Sequence, residues 1–257
     1  MLSYVSRQIR VAALASLCIA PTTAFADTDT SVAEQFSRIG DGGEMTMPQE
    51  MGSFGISVTE RLTFEPFQMA GDLQRNDIVL LMRHGPTDWS VRDERAVAST
   101  NCAGQRVMSE VGQAQMRALG VLMGLADVMP GEIVVSEWCR NQQTLAALMD
   151  GFGIVDATFP ETVPVTTEPY ANLLLSIGGA ENVTELRERV LSWEGSEDGP
   201  LLIVTHFTNI QELTEFSVYE GEMLVLDPTL NGRVLGYLRL ASSRPDIGHF
   251  DDSVATE

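Results

Sequence analysis

The chain has 257 residues and sets 16 basic side chains, every one of them arginine, against 36 acidic ones, for a formal net charge of −20. That balance makes the chain a poor candidate for general nucleic-acid or anionic-membrane binding, because polyanions repel an acidic surface. With no lysine in the sequence, any anion the protein holds must be held by arginine, histidine or backbone N–H groups.

Residues 1–26 place Arg7 and Arg10 ahead of a short apolar stretch, Val11 to Ala20, and end in Ala24-Phe25-Ala26. This is the pattern of a secretory signal peptide with its cleavage site, and it is too short for a membrane span of about 20 apolar residues. Cys18 follows Leu17, where a lipoprotein signal usually has a small residue. The expectation is an exported protein, periplasmic or secreted, with no stable membrane insertion once the signal is cleaved. Cleavage leaves 231 residues, with 14 arginines against 36 acidic side chains, enough for one sizeable core with an extension. Cys102 and Cys139 are the cysteines that remain. In an oxidising compartment they form either a disulfide or two partly buried thiols.

Residues 27–76 have a weak pattern (GDGG, MTMPQEM, GSFG) and read as a partly irregular extension that packs on the domain through Phe64 and Phe67. From residue 77 to 257 the rhythm is strand, loop, helix. DIVLLM is a continuous apolar run, as in a strand covered on both faces. Ser109 caps a helix whose apolar positions are Val111, Ala114, Ala118, Val121, Leu122 and Leu125. EIVVS at 132–136 is a second strand, followed by a helix from about Trp138 to Gly151. VTELRERVLSW is helical, and LLIVT at 201–205 is a buried strand leading into a helix through Leu213. EMLVLD and RVLGYLRL, joined by PTLNG, form a hairpin. Strands alternating with helices predict an α/β fold, a three-layer α/β/α sandwich around a mostly parallel sheet, with ligands at the carboxyl ends of the strands.

Three strand ends carry polar residues of one kind. DIVLLM runs into Arg83-His84-Gly85, EIVVS leads through Glu137 to Arg140, and LLIVT runs into His206. In a parallel sheet these ends meet on one rim, which gathers two of the three histidines; the third, His249, lies in an acidic tail. Such a cluster suits a phosphoryl group. Arginine presents a planar fork that matches phosphate oxygens. A neutral imidazole can attack phosphorus when its other nitrogen is held as a donor. No G-x-S-x-G elbow, Walker loop, H-E-x-x-H or His/Cys cluster is present, and no cofactor is implied.

MRHGPTDWS, MSEVGQAQMRALG, VVSEWCRNQQTLAAL and IVTHFTNIQELT together resemble, in order and over about residues 77 to 227, the motifs of the histidine phosphatase (phosphoglycerate-mutase-like) superfamily. NCAGQR with WCR and THFTNI looks most like its exported bacterial phosphatases. The resemblance implies that His84 is the nucleophile, that Arg83 and Arg140 clamp the phosphoryl oxygens and that His206 donates to one of them. It puts Thr87 where relatives hydrogen-bond the phosphate. Arg106 and Ser90 either line the mouth of the site or are ordinary loop and turn residues. The general acid stays open. The acid-phosphatase branch has an acidic residue after the second histidine, where this chain has Phe207. The mutase-like branch has a glutamate beyond the second arginine, and Glu168 stands at a similar distance, either as that acid or as an exposed loop glutamate. Without an acid, substrates with a good leaving group, such as phosphohistidine or acyl phosphates, fit best. The implied activity is hydrolysis of a small phosphorylated molecule without a metal. The alternatives are a phosphomutase or phosphotransferase, and a phosphate-binding protein without turnover.

Overall fold

The computed structural model describes residues 43–45, 60–65, 71–174 and 179–246; the signal segment 1–26, Phe67 and His249 lie outside the described residues. Continuous apolar runs become strands whose alternate side chains enter two different cores. The strands are β1 (Gly43–Met45), β2 (Leu62–Phe64), β3 (Val79–Arg83), β4 (Glu132–Val135), β5 (Val165–Thr167), β6 (Leu201–Thr205), β7 (Met223–Asp227) and β8 (Arg233–Leu240). They form one sheet in the order β1-β2-β8-β7-β3-β6-β4-β5. In β3, Leu80 and Met82 face one core while Val79 and Leu81 face the other, and β6 divides its residues the same way.

On the first face lie α1 (Glu110–Leu125) and α2 (Cys139–Val155), which bury Met116, Leu119, Leu122, Leu148 and Phe152. The one-turn α3 (Phe159–Thr162) follows them. On the second face lie α4 (Thr184–Leu191) and α5 (Phe207–Thr214), which bury Leu186, Val190 and Ile210 together with Trp193. This is the expected α/β/α sandwich. β3, β6, β4 and β5 are mutually parallel, and β7, β8, β2 and β1 continue the sheet antiparallel. The β7–β8 connection, PTLNG, is far too short for the crossover that parallel strands need.

The extension contributes strands of its own. β2 pairs with the outer edge of β8, with Leu62 opposite Leu240; Leu62 is fully buried and Phe64 packs against the first core. Ser109 caps α1 by accepting the Gly112 N–H at 2.9 Å. The apolar stripe of α1 agrees in part with the one read in the sequence: Val121 and Leu122 are buried as expected, together with Met116, Leu119 and Met123, but Val111, in the first turn, is 68% exposed. α2 continues past Gly151 to Val155. A Cβ on Gly151 would overlap the carbonyl oxygen of Arg117 in α1, so this glycine permits close helix contact and does not end the helix. The cysteines form a Cys102–Cys139 disulfide with Cα atoms 5.5 Å apart.

Candidate active site

The parallel registers bring the strand ends together. Arg83 lies beside Thr205 and Val135 beside Val204, so His84, His206 and Ser136 emerge next to one another on the carboxyl rim. Arg140 stands in the first turn of α2, which starts at that rim. The rings of His84 and His206 meet edge to face, with centroids 5.6 Å apart, and Trp138 approaches His206 at 5.8 Å.

The backbone around His84 is held from three sides. Its N–H donates to Thr205 O at 3.1 Å, its carbonyl accepts from Gly221 N at 2.9 Å, and the next amide, Gly85 N–H, donates to Thr144 Oγ1 in α2 at 2.8 Å. The ring Nδ1 donates to Gly85 O at 3.0 Å, which leaves Nε2 with a lone pair for attack. Burial, then the charges of Arg140 and Arg83, push the proton affinities of His84 and His206 well below the ordinary histidine range. Both imidazoles are therefore neutral at pH 7. His206 Nε2 lies 3.0 Å from Ser136 Oγ.

Each arginine is both anchored and partly unused. Arg83 is buried and its Nη1 donates to Val218 O at 2.9 Å and to Asp246 Oδ2 at 2.6 Å. Its Nη2 is 3.6 Å from Glu220 Oε1, and its guanidinium lies over the Phe207 ring at 5.1 Å. Arg140 Nη1 donates to both oxygens of Asp93 at 3.2 Å and packs over Trp138 at 4.6 Å. Burial, opposed by Asp93, lowers Arg140 to about 10, so it stays charged at neutral pH. Among the described residues, Nε of Arg83, Nε of Arg140 and Nδ1 of His206 are buried without a hydrogen-bond partner. Buried polar atoms are rarely left so, and an anion's oxygens would satisfy the two guanidinium N–H groups.

The other residues singled out by sequence fall in varied places. Thr87 is buried here, but its hydroxyl donates to Glu220 Oε1 at 2.6 Å and its N–H to Glu220 Oε2 at 3.1 Å. Arg106 stacks on Trp89 at 3.6 Å, and its carbonyl accepts from Arg140 Nη1 at 3.4 Å. Ser90 is exposed and donates to Asp88 Oδ1 at 2.6 Å, the geometry of a local turn. Glu168 begins the short helical turn after β5, and its carboxylate has no hydrogen-bond or ion-pair partner among the described residues. The residue that this turn delivers to the site is Asn172, fully buried against Ser136. Sequence reading missed Asn172, and also Asp93, Glu220 and Asp246, which partner the arginines. Their one signal was that acidic residues must neutralise buried arginine, and that gives no position. Among the described residues, no cluster of three His, Cys, Asp or Glu side chains is arranged to hold a metal ion, and no helix is long and apolar enough to cross a membrane.

Residues 79–163 match the family model described as histidine phosphatase superfamily (branch 1). No curated protein matches the sequence. The fold is similar to the protein histidine phosphatase SixA complexed with tungstate, at 18% identity, covering 61% of this chain and 93% of that one, with a TM-score of 0.44. A putative phosphohistidine phosphatase SixA from Agrobacterium tumefaciens is 17% identical, covering 66% of this chain and 98% of that one, with a TM-score of 0.42. Mycobacterial glucosyl-3-phosphoglycerate phosphatase is 16% identical, covering 66% and 99%, with a TM-score of 0.38. The family match falls on the segment that runs from the strand before His84 through Arg140, and that segment is similar to the histidine phosphatase superfamily (branch 1); His206 closes the same rim from β6.

Proposed function

We propose that the protein is an exported phosphatase that hydrolyses a phosphomonoester through a phosphohistidine on His84, without a metal. The observation that carries the reading is the pairing of a lone pair on His84 Nε2, set by the 3.0 Å bond from Nδ1 to Gly85 O, with two buried guanidinium N–H groups that have no partner on Arg83 and Arg140. The nucleophile and the phosphate donors are all buried, where each donor is worth more than in water. Nε2 attacks phosphorus, the ester P–O bond breaks, and water then hydrolyses the phosphoimidazole. Arg83 and Arg140 hold the phosphoryl oxygens through both steps.

Phe207, packed under Arg83, offers no acid; Glu168, which starts the turn at the carboxyl end of β5, is either the general acid or a loop glutamate, and in the second case a small substrate with a good leaving group, such as an acyl phosphate or phosphohistidine, fits best. The same observation favours a second reading, a phosphate-binding protein without turnover. The signal segment 1–26 supports export and weighs against a mutase of cytoplasmic intermediates. The test is phosphate release from p-nitrophenyl phosphate, acyl phosphates and sugar phosphates, with EDTA present, by the protein from residue 27 onward and by His84→Ala. Release by the former alone supports the phosphatase; equal release by both refutes it.

A further inference from the structure

The two facing histidines are each assigned a proton by the hydrogen bonds around them. Nδ1 of His84 meets the carbonyl of Gly85, which can only accept, so the proton sits on Nδ1 and Nε2 is bare. For His206 the neighbour is a hydroxyl, Ser136 Oγ, 3.0 Å from Nε2, and a hydroxyl can either give or take. Asn172 decides which. The Glu137 N–H donates to one terminal atom of the Asn172 side chain at 2.9 Å, and the other terminal atom donates to Glu137 Oε2 at 2.7 Å. The first atom is therefore the carbonyl oxygen. Ser136 Oγ lies 2.8 Å from that oxygen and must donate its proton there. Ser136 Oγ also accepts the Trp138 N–H at 3.2 Å, so its remaining lone pair takes the Nε2–H of His206. Nδ1 of His206 is then bare, and it is buried with no partner among the described residues.

We propose that Glu137, Asn172 and Ser136 form a positioning relay that holds neutral His206 in its Nε2–H form, so that the site takes its phosphoryl ligand together with a proton. The ligand class follows from the phosphatase reading; the tautomer does not depend on it. Two bare imidazole nitrogens repel the oxygens of a dianion, whereas a P–OH group can donate to Nδ1 of His206. If that proton moves, the imidazolium donates back to the phosphoryl oxygen. Either way the complex holds one proton more than neutral His206 plus a phosphate dianion. When His84 Nε2 bonds to phosphorus and the ester P–O bond breaks, this proton is available to the departing oxygen. The charged groups around His206 are Arg83 beside His84, Arg140 in α2 and Arg106 in the loop after β3. All three are cations, which favour the neutral ring, and Glu137 reaches it only through Asn172 and Ser136.

The tautomer is read directly from two-bond 1H–15N spectra of 15N-histidine-labelled protein, with the His206 signals identified by their loss in His206→Gln. The expected result is His84 as Nδ1–H and His206 as Nε2–H; an Nδ1–H pattern for His206 overturns the relay. Where His206→Gln fails to fold, Ser136→Ala serves instead, because it frees His206 to place its proton on Nδ1 and moves only that ring's signals. Binding of inorganic phosphate gives the functional readout. In the native protein its affinity falls about tenfold per pH unit above the ligand's second pKa, and in Ser136→Ala this slope flattens. A native protein without the slope, or a Ser136→Ala protein that keeps it, contradicts the proposal. None of these measurements needs turnover. An inactive protein with Nε2–H His206 would sink the phosphatase reading alone, and an active one with Nδ1–H His206 would sink the relay alone.

Discussion

Asp246→Asn separates what the Asp246 carboxylate does for stability from what it does for binding, because the two effects have opposite signs. Asp246 and Arg83 form a buried pair at 2.6 Å with side-chain exposures of 3% and 1%. Removing one partner of such a pair costs roughly 3–5 kcal/mol, mainly because the other charge stays buried without compensation. Here Arg83 keeps Val218 O and, at 3.6 Å, Glu220, and asparagine still offers an oxygen, so the loss falls near about 3 kcal/mol. The same substitution removes a negative charge that competes with any anion for Arg83. At an effective dielectric constant of about 20, such a charge is worth on the order of 1–3 kcal/mol, or about tenfold or more in phosphate affinity. Urea denaturation at pH 7 measures both effects. Without phosphate the variant unfolds at lower urea than the native protein; with phosphate added it gains more than the native protein does, since a ligand of the folded state stabilises according to its affinity. A variant of native stability, or one that binds phosphate more weakly, would refute the view that Asp246 compensates the charge of Arg83 and competes with an anion for it.

Three further outcomes are expected. The Cys102–Cys139 bridge closes a loop with a sequence separation of 37 and ties the segment carrying Asp93 and Arg106 to the start of α2. Cys102→Ser with Cys139→Ser lowers stability by about 2–4 kcal/mol and raises KM more than it lowers kcat; unchanged urea midpoints and KM would contradict this. Acidification destabilises the fold through His84 and His206. Their proton affinity in the folded state lies below that of the unfolded chain, so under about pH 6.5 the unfolded chain binds protons the folded one does not. Stability then falls with decreasing pH at up to about 1.4 kcal/mol per pH unit for each histidine, whereas Asp77, held low by Arg75, matters only below about pH 4. Urea midpoints from pH 5 to 8 show this slope, and replacing both histidines by asparagine flattens it. Gly112→Ala places a Cβ against the carbonyl of Pro86, in the loop that carries His84. It costs about 1–3 kcal/mol and lowers activity, and a thermal melt identical to that of the native protein would count against that close approach.

The parallel half of the sheet was readable in sequence because β3, β4 and β6 carry the continuous apolar runs VLLM, IVV and LLIV, and the polar residues that end or follow them stand out against those runs. His84, His206, Arg83 and Arg140 could thus be placed on one rim before any coordinates. β5 escaped because Val165, Thr166 and Thr167 are exposed on an edge and show no alternation, and with β5 went the turn that buries Asn172 where Glu168 had been considered. β2 escaped because three residues of weak pattern become a strand only when β8 offers its edge. The carboxylates on the arginines come from separate loops, Asp93 before α1, Glu220 before β7 and Asp246 after β8. Nothing local distinguishes them from the other acidic residues of a chain carrying 36. Thr87 donates to Glu220, a partner that was not foreseen because a hydrogen bond across 133 residues leaves no local trace.

The central claim is that His84 carries the phosphoryl group. Rapid quenching of the protein during turnover of an acyl phosphate or p-nitrophenyl phosphate, followed by peptide mass spectrometry at alkaline pH, tests it most directly. The account predicts a transient phosphoryl adduct on His84 Nε2 that is absent from His84→Ala. Turnover with no adduct, or with the adduct on another residue, would contradict it.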